Sequence, residues 1–163
     1  MIGEFSYEWD WSKNFDDFGE DMDLDFKRGL WYGLFSPTPV TPMSWWWEYF
    51  ENRGMVPYFR NVRYVNDRML KEGKGTFIAV PAKADGADAF AVRCGKKVYV
   101  YAYNVSDKPV TSVSVPMEGR HKVVSFDFGK AVFQGGKKIK ARDGQLTIPV
   151  DLAPRSEILF EIK

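Results

Sequence analysis

From Thr76 onward, apolar and polar side chains alternate with a period of two, the spacing that sends successive side chains to opposite faces of a strand. This predicts strands at 76–81, 87–93, 97–104, 110–116, 121–128, 131–134, 137–142, 145–150 and 156–162. Turn residues separate them: Cys94-Gly95, Ser106-Asp107-Lys108-Pro109, Gly135-Gly136 and Asp143-Gly144. The last pair is a strong signal for a two-residue hairpin. Many short strands at such spacing predict an antiparallel sandwich. Within 97–104, Val98, Val100 and Ala102 alternate with Tyr99, Tyr101 and Tyr103. The aliphatic set is expected to face the sandwich core. The tyrosine stripe either packs on a neighbouring unit, its hydroxyls reaching polar groups there, or forms an exposed platform for sugar rings.

Before residue 76 the pattern is different. Ile2-Gly3-Glu4-Phe5 reads as the end of a strand that emerges into a loop, Tyr7 to Asp21, where Trp9, Trp11, Phe15 and Phe18 stand among carboxylates. Such a mixture suits a carbohydrate site, with rings stacking on sugar C–H faces and acids binding hydroxyls; it suits equally a loop folded over its own aromatics. Met22, Phe26, Leu30 and Gly33-Leu34 recur at helical spacing and predict a helix over about 22–35. Ser36-Pro37-Thr38-Pro39 ends it. A second strand is predicted from Val40 to Trp47 and a last helix over about 58–72, with Phe59, Val62, Val65-Asn66, Met69 and Leu70 on its buried side. The order strand, helix, strand, helix predicts parallel βα units. Asp21-Met22-Asp23-Leu24-Asp25 opens like a calcium loop, but Lys27 stands where that loop needs glycine and Tyr32 where it needs glutamate. The carboxylates suit a helix N-terminus instead.

The most apolar stretch is Pro42-Met43-Ser44-Trp45-Trp46-Trp47-Glu48-Tyr49-Phe50. Three adjacent indoles are costly to leave in water, and they suit a packed core or a surface that stacks on sugars. All six tryptophans lie in the first 47 residues. Residues 1–70 hold 12 acidic and 7 basic side chains, and residues 71–163 hold 10 and 16, so the net charge of +1 conceals two halves of opposite sign. Their complementarity is expected to help them dock. The lysines of the second half fall mostly in turns, without the stripe a nucleic-acid binder shows. No apolar run approaches the ~20 residues of a membrane-spanning helix, and the first residues lack the basic start and apolar segment of a signal peptide. His121 is expected to be structural, and Cys94 lacks the Cys/His company of a metal site.

Three segments in order, Gly3-Glu4-Phe5, Gly29-Leu30-Trp31-Tyr32-Gly33-Leu34-Phe35-Ser36 and Thr41-Pro42-Met43-Ser44-Trp45-Trp46-Trp47-Glu48, resemble the end of a retaining (β/α)8-barrel glycoside hydrolase of the cellulase and mannanase type. Residues 76–163 resemble the small β-sandwich that follows the barrel in such enzymes. The resemblance covers nearly the whole chain. It implies an α+β chain: residues 1–73 a remnant of a TIM barrel, about two βα units from strand seven to helix eight, and residues 76–163 a C-terminal antiparallel β-sandwich.

By the same resemblance Glu4 matches the nucleophile, which attacks the anomeric carbon to give a covalent glycosyl-enzyme. Trp46 or Trp47 matches the platform under the reacting sugar; strand alternation puts Trp45 and Trp47 on one face and Trp46 on the other and does not choose between them. Trp9 and Trp11 become loop contacts to neighbouring sugars. A barrel needs about 200 or more residues, whereas about 70 precede the sandwich here. The family's general acid sits around strand four, outside this chain. Glu8 and Glu48 are the nearest carboxylates, neither at the family position, and Ser6 stands where glycine is usual. The expectation is therefore the C-terminal portion of a glycoside hydrolase acting on plant-type or other polysaccharide, inactive alone for want of the acid, with no metal and no cofactor. The alternative is a non-catalytic carbohydrate-binding or structural β-sandwich module. The expected partners are an oligo- or polysaccharide and either a second copy or the missing barrel portion, with neither nucleic acid nor membrane. The family resemblance implies a secreted or periplasmic location.

Overall fold

The computed structural model describes residues 4–5, 12–36, 43–44 and 46–163. In chain order, β1 (Glu4–Phe5) is followed by a 3₁₀ turn (Phe15–Phe18) and α1 (Gly19–Phe35); β2 (Met43–Ser44) is followed by α2 (Trp47–Asn52), a second 3₁₀ turn and α3 (Phe59–Gly73). Strands then succeed one another: β3 (Phe77–Val80), β4 (Ala87–Cys94), β5 (Lys97–Asn104), β6 (Val110–Pro116), β7 (Arg120–Asp127), β8 (Val132–Lys140), β9 (Gln145–Leu152) and β10 (Glu157–Ile162). β1 and β2 form a parallel pair; six strands form an antiparallel sheet in the order β3-β4-β5-β10-β7-β8, and β6 pairs with β9 in a separate ribbon.

The six-stranded sheet is the middle layer. On one face Val98, Val100, Ala102, Phe160 and Ile162 meet Val113, Val115, Leu146 and Ile148 of the ribbon in an aliphatic core. On the other face Tyr99, Tyr101, Tyr103 and Leu159 meet α1 and α3 in an aromatic one. β5 is buried on both sides, so period-two alternation sorts its side chains between two cores instead of between core and solvent. Tyr99 and Tyr101 are 0% exposed. The stripe therefore packs on the helical layer and presents no sugar platform.

In α1, Met22, Phe26, Leu30, Trp31 and Phe35 are buried, and in α3 Val62, Val65 and Met69. Trp31 stacks on Tyr101 at 5.6 Å between ring centroids and 26° between planes. Leu70, expected on the buried side of α3, is 50% exposed; the helix ends at Lys74, which turns left-handed (φ 46), and its inner face closes with Gly73 instead.

Three expectations about elements change. The strand expected over Val40 to Trp47 is only Met43–Ser44 among the described residues, and Trp47 opens a helix. That six-residue helix is invisible to periodicity because three consecutive indoles carry no alternation. Gly135-Gly136 is not a turn. Val123 pairs with Lys137 and Ser125 with Gln134, so two glycines oppose the single residue Val124. With φ of 67° at Gly135 this is a glycine bulge inside one strand, and the two strands predicted there merge into β8. Asp143-Gly144 makes the hairpin expected of it, both residues at positive φ (50° and 75°).

Gly95 (φ 58) starts the β4–β5 hairpin, and a Cβ on it would run into the backbone carbonyl oxygen of Glu72 in α3. Gly144 has a similar φ with nothing within 4 Å. Gly144→Ala should cost about 1 kcal/mol, the left-handed penalty alone. Gly95→Ala carries a backbone collision as well and should cost at least about 2 kcal/mol. Urea midpoints of the two variants test the difference, and equal losses would remove the helix–hairpin contact from the account.

Candidate functional site

β1 and β2 run side by side in the same direction, Glu4 opposite Met43 and Phe5 opposite Ser44. Parallel neighbours deliver their C-terminal ends to one side, the side at which parallel sheets bind ligands. The chain that leaves β2 there carries Trp46 and Trp47. The chain that leaves β1 returns as the 3₁₀ turn holding Phe15. These two exits close on each other: Phe15 lies edge-on to Trp46 at 5.0 Å and to Tyr49 at 5.6 Å, and the Tyr49 hydroxyl donates to the Phe15 carbonyl at 3.1 Å. So Phe15 is spent on packing. Of the two described indoles of the triplet, Trp46 is half-buried against it, whereas Trp47, at the start of α2, is 59% exposed. Helical geometry separates them, not the strand alternation expected. Glu48 beside Trp47 is exposed too. Trp9, Trp11, Trp45 and Glu8 lie outside the described residues.

The exits are clamped to α1. Arg53, just past α2, grips Asp23 through two bonds, Nε–Oδ1 at 2.8 Å and Nη2–Oδ2 at 2.7 Å, and Phe50 packs on Phe26 at 4.5 Å. Gly19 sits where Arg53 and Tyr49 leave no room for a Cβ. The acidic run at the start of α1 is taken up by arginines: Asp21 by Arg155, Asp23 by Arg53 and Asp25 by Arg28. Among the described residues no group of His, Cys, Asp and Glu is placed to hold a metal ion. The His121 ring nitrogen Nε2 lies 2.7 Å from the Glu118 carbonyl oxygen. Cys94 is buried, and that burial pushes its thiol up to about 12, leaving it unreactive.

Two inward-facing carboxylates of β10, Glu157 half-buried and Glu161 buried, went unremarked in the sequence, because in a strand of alternating residues they read as the solvent-facing half. Glu157 accepts from Tyr58 at 2.7 Å and from Tyr101 at 3.1 Å, and Tyr58 in turn accepts from the Trp31 indole at 2.6 Å. Four residues on, Glu161 is fully buried and is bonded by Arg68 at 2.8 Å, Lys163 at 2.7 Å and Tyr99 at 3.0 Å, with Lys97 at 3.4 Å. Burial raises both carboxyls. At Glu157 the two tyrosine bonds do not outweigh it, and the group stays above the usual carboxylate range. At Glu161 the bonds from Lys163 and Arg68 do outweigh it, and the group falls to about 2. Tyr32 adds a bond to Asp88 on the sheet.

No protein-family model matches the chain, and no curated protein sequence matches it. Solved structures do. A glycoside hydrolase family 30 subfamily 8 xylanase from Clostridium acetobutylicum superposes with TM-score 0.54 at 14% identity, over 99% of this chain and 42% of that one. A glycoside hydrolase family 5 protein from Bacteroides vulgatus gives 0.52 at 12%, over 86% and 36%. An α-amylase from Anoxybacillus gives 0.52 at 19%, over 85% and 32%. The chain thus has a fold found within larger glycoside hydrolases, and spans about a third to two fifths of their length.

The two acids have opposite signs in pH dependence. Glu161, lowered in the fold, contributes stability that is present above its unfolded value of ~4.3 and lost as pH falls toward about 2. Glu157, raised in the fold, contributes stability that is present below the unfolded value and lost as pH rises through its folded one. Glu161→Gln should lose about 1.5–3 kcal/mol at neutral pH and show a shallower fall between about pH 4.3 and 2. Glu157→Gln should lose less at neutral pH than at pH 4. Urea midpoints of the three proteins across this range check both slopes, and parallel curves for Glu161→Gln and the parent would refute the first.

Proposed function

We propose that this chain is the C-terminal portion of a retaining glycoside hydrolase, its first 73 residues the last two βα units of a (β/α)8 barrel and residues 76–163 the sandwich packed beside it. The observation that carries this reading is the parallel pairing of Glu4–Phe5 with Met43–Ser44, which sets the nucleophile candidate beside the strand that leads into the tryptophans. The glycoside hydrolase neighbours support it through their shared fold and their two- to threefold greater length. In this reading Glu4 attacks the anomeric carbon, and Trp47, the exposed indole, lies under the reacting sugar. Trp46 packs edge-on to Phe15 instead of facing the sugar, and Trp9 and Trp11 contact neighbouring sugars from the loop after β1. The substrate is a polysaccharide of the plant-wall class.

Retaining hydrolysis needs a second carboxyl about 5 Å from the nucleophile as general acid. The family's acid belongs to an earlier strand, so the chain alone binds glycan without cleaving it. The non-catalytic module reading loses its strongest surface, because the tyrosine stripe it would use is covered by α1 and α3.

Titration with cello-, manno- and xylo-oligosaccharides, followed by calorimetry and tryptophan fluorescence, tests this. The chain should bind at least one series weakly, and Trp47→Ala should weaken that binding by about 1–2 kcal/mol, roughly five- to thirtyfold. Reducing-sugar release should stay at the level of buffer. Binding unaffected by both Trp47→Ala and Glu4→Gln would overturn the site.

A further inference from the structure

A concentration of cations appears only when the strands are set in register. Lys122 pairs with Lys138 and Arg120 with Lys140 across β7 and β8. On the other side of β7, Lys122 and Lys163 exchange backbone bonds of 3.0 and 2.9 Å, which makes Lys163 the third member of a row. Directly paired residues share a face, and positions two apart along a strand share it too. All five side chains are therefore on one face, in two rows: Lys163, Lys122 and Lys138 in one, Arg120 and Lys140 in the next. All five are exposed. The face is that of Glu161, which pairs with Val124 two residues along β7.

That carboxylate offsets Lys163 within the patch and leaves the other four cations uncompensated. Glu161 already serves Arg68, Lys97 and Lys163. Among the described residues no carboxylate pairs with Arg120, Lys122, Lys138 or Lys140. Like charges set directly opposite in a ladder destabilise it. Lysines on an outer strand deter edge-to-edge pairing, which accounts for β8. It does not account for Lys122 and Arg120 on β7 or for Lys163 beyond β10. Gly136 adds a local detail: a Cβ there would collide with the Lys122 stem, so the glycine bulge leaves space for this lysine to lie along the surface.

The geometry points to a docking surface for a linear carboxylated polysaccharide, held by the cations of β7, β8 and the end of β10. The carbohydrate identity rests on the function proposed above; the charge does not. The patch lies at the end of the sheet near Arg68 and Lys97, whereas the first turn of α1 meets the sheet at its other end through Asp21 and Arg155. It therefore acts as a separate anchor and not as part of the mouth at β1 and β2. Neighbouring strands are ~4.8 Å apart and same-face residues ~6.8 Å apart, so the two rows offer charge over about 10 Å, the reach of a few sugar units. Among the described residues no exposed aromatic ring of the kind single-stranded nucleic acid stacks on accompanies the five cations.

The test uses sodium polygalacturonate, unsubstituted xylan, an oligothymidylate and vesicles rich in anionic lipid, each titrated against the parent chain, Lys122→Gln/Lys138→Gln and Trp47→Ala. Polygalacturonate should bind the parent and lose about tenfold or more between about 50 and 200 mM salt. The double variant should bind it at least tenfold more weakly while keeping the parent's affinity for neutral oligosaccharide. Its thermal midpoint should be unchanged or higher, since two like-charge contacts are removed, and this shows that it folds. Equal polygalacturonate binding by parent and double variant would overturn the proposal, as would tighter binding of oligothymidylate or vesicles than of polygalacturonate. Loss of neutral-glycan binding from every protein, with polygalacturonate binding kept and charge-dependent, would instead overturn the proposed function and leave the anionic surface standing.

Discussion

The contact on which this structure depends is the stacking of Trp31 on Tyr101. A two-stranded parallel pair with short helices has too little apolar surface to fold alone. The outer face of the sandwich sheet supplies what it lacks. Trp31 is wholly buried, lies flat on Tyr101, and is met edge-on by Phe126 and Phe128. Removing such a ring from a packed interior costs about 3–5 kcal/mol, a large part of the stability of any domain this size. α1 is positioned by this contact, α2 is clamped to α1 through Arg53 and Phe50, and the exits of β1 and β2 meet at Phe15 and Trp46. The mouth is thus built outward from the sheet, link by link.

The same interface is unusual in being aromatic and polar together. Tyrosines fill the space that aliphatic side chains fill on the opposite face of β5, and each hydroxyl brought inside needs a partner. Glu157 and Glu161 provide them, at 3.1 Å for Tyr101 and 3.0 Å for Tyr99. The same carboxylates accept from the helical layer, Glu157 from Tyr58 at 2.7 Å and Glu161 from Arg68 of α3 at 2.8 Å, and these directional bonds set that layer in one orientation on the sheet. Net charge contributes less than the two halves' opposite totals imply. Asp21 with Arg155 joins them in the expected sense, but Arg68 with Glu161 joins them in the reverse one and is the more deeply buried. Long-range charge complementarity and local pairing are separate matters.

Much of the sandwich was legible in the sequence because alternation and turn chemistry act locally. The hairpins at Gly95 and Asp143-Gly144 needed nothing beyond their own φ angles. The tyrosine stripe was legible as a stripe, and its packing on a neighbouring unit was one of two readings. Features set by register were not legible. The bulge at Gly135-Gly136 reads locally as a turn, and only pairing with β7 shows it to be one strand. The cation rows have the same origin: Lys122, Lys138 and Lys163 are far apart in sequence and adjacent only across the ladder. Glu157 and Glu161 were missed because both faces of their strand are covered. At the candidate site the parallel order of β1 and β2 was readable from the strand–helix alternation, whereas the helical start at Trp47 was not, since a run of three indoles has no period.

The proposed site rests on one arrangement: Glu4–Phe5 paired in parallel with Met43–Ser44, the strand that precedes Trp46 and Trp47. Cross-linking of introduced cysteines measures it most directly. Cys94 is buried with its thiol pushed up to about 12, so it does not compete for oxidant. Phe5→Cys with Ser44→Cys, a directly opposed pair on strands ~4.8 Å apart, should close to an intrachain disulfide under mild oxidation. Phe5→Cys with Met43→Cys, one residue out of register and on opposite faces, should close far more slowly. Equal rates for the two pairs, or no closure of either in the folded protein, would contradict the parallel register and with it the proposed mouth.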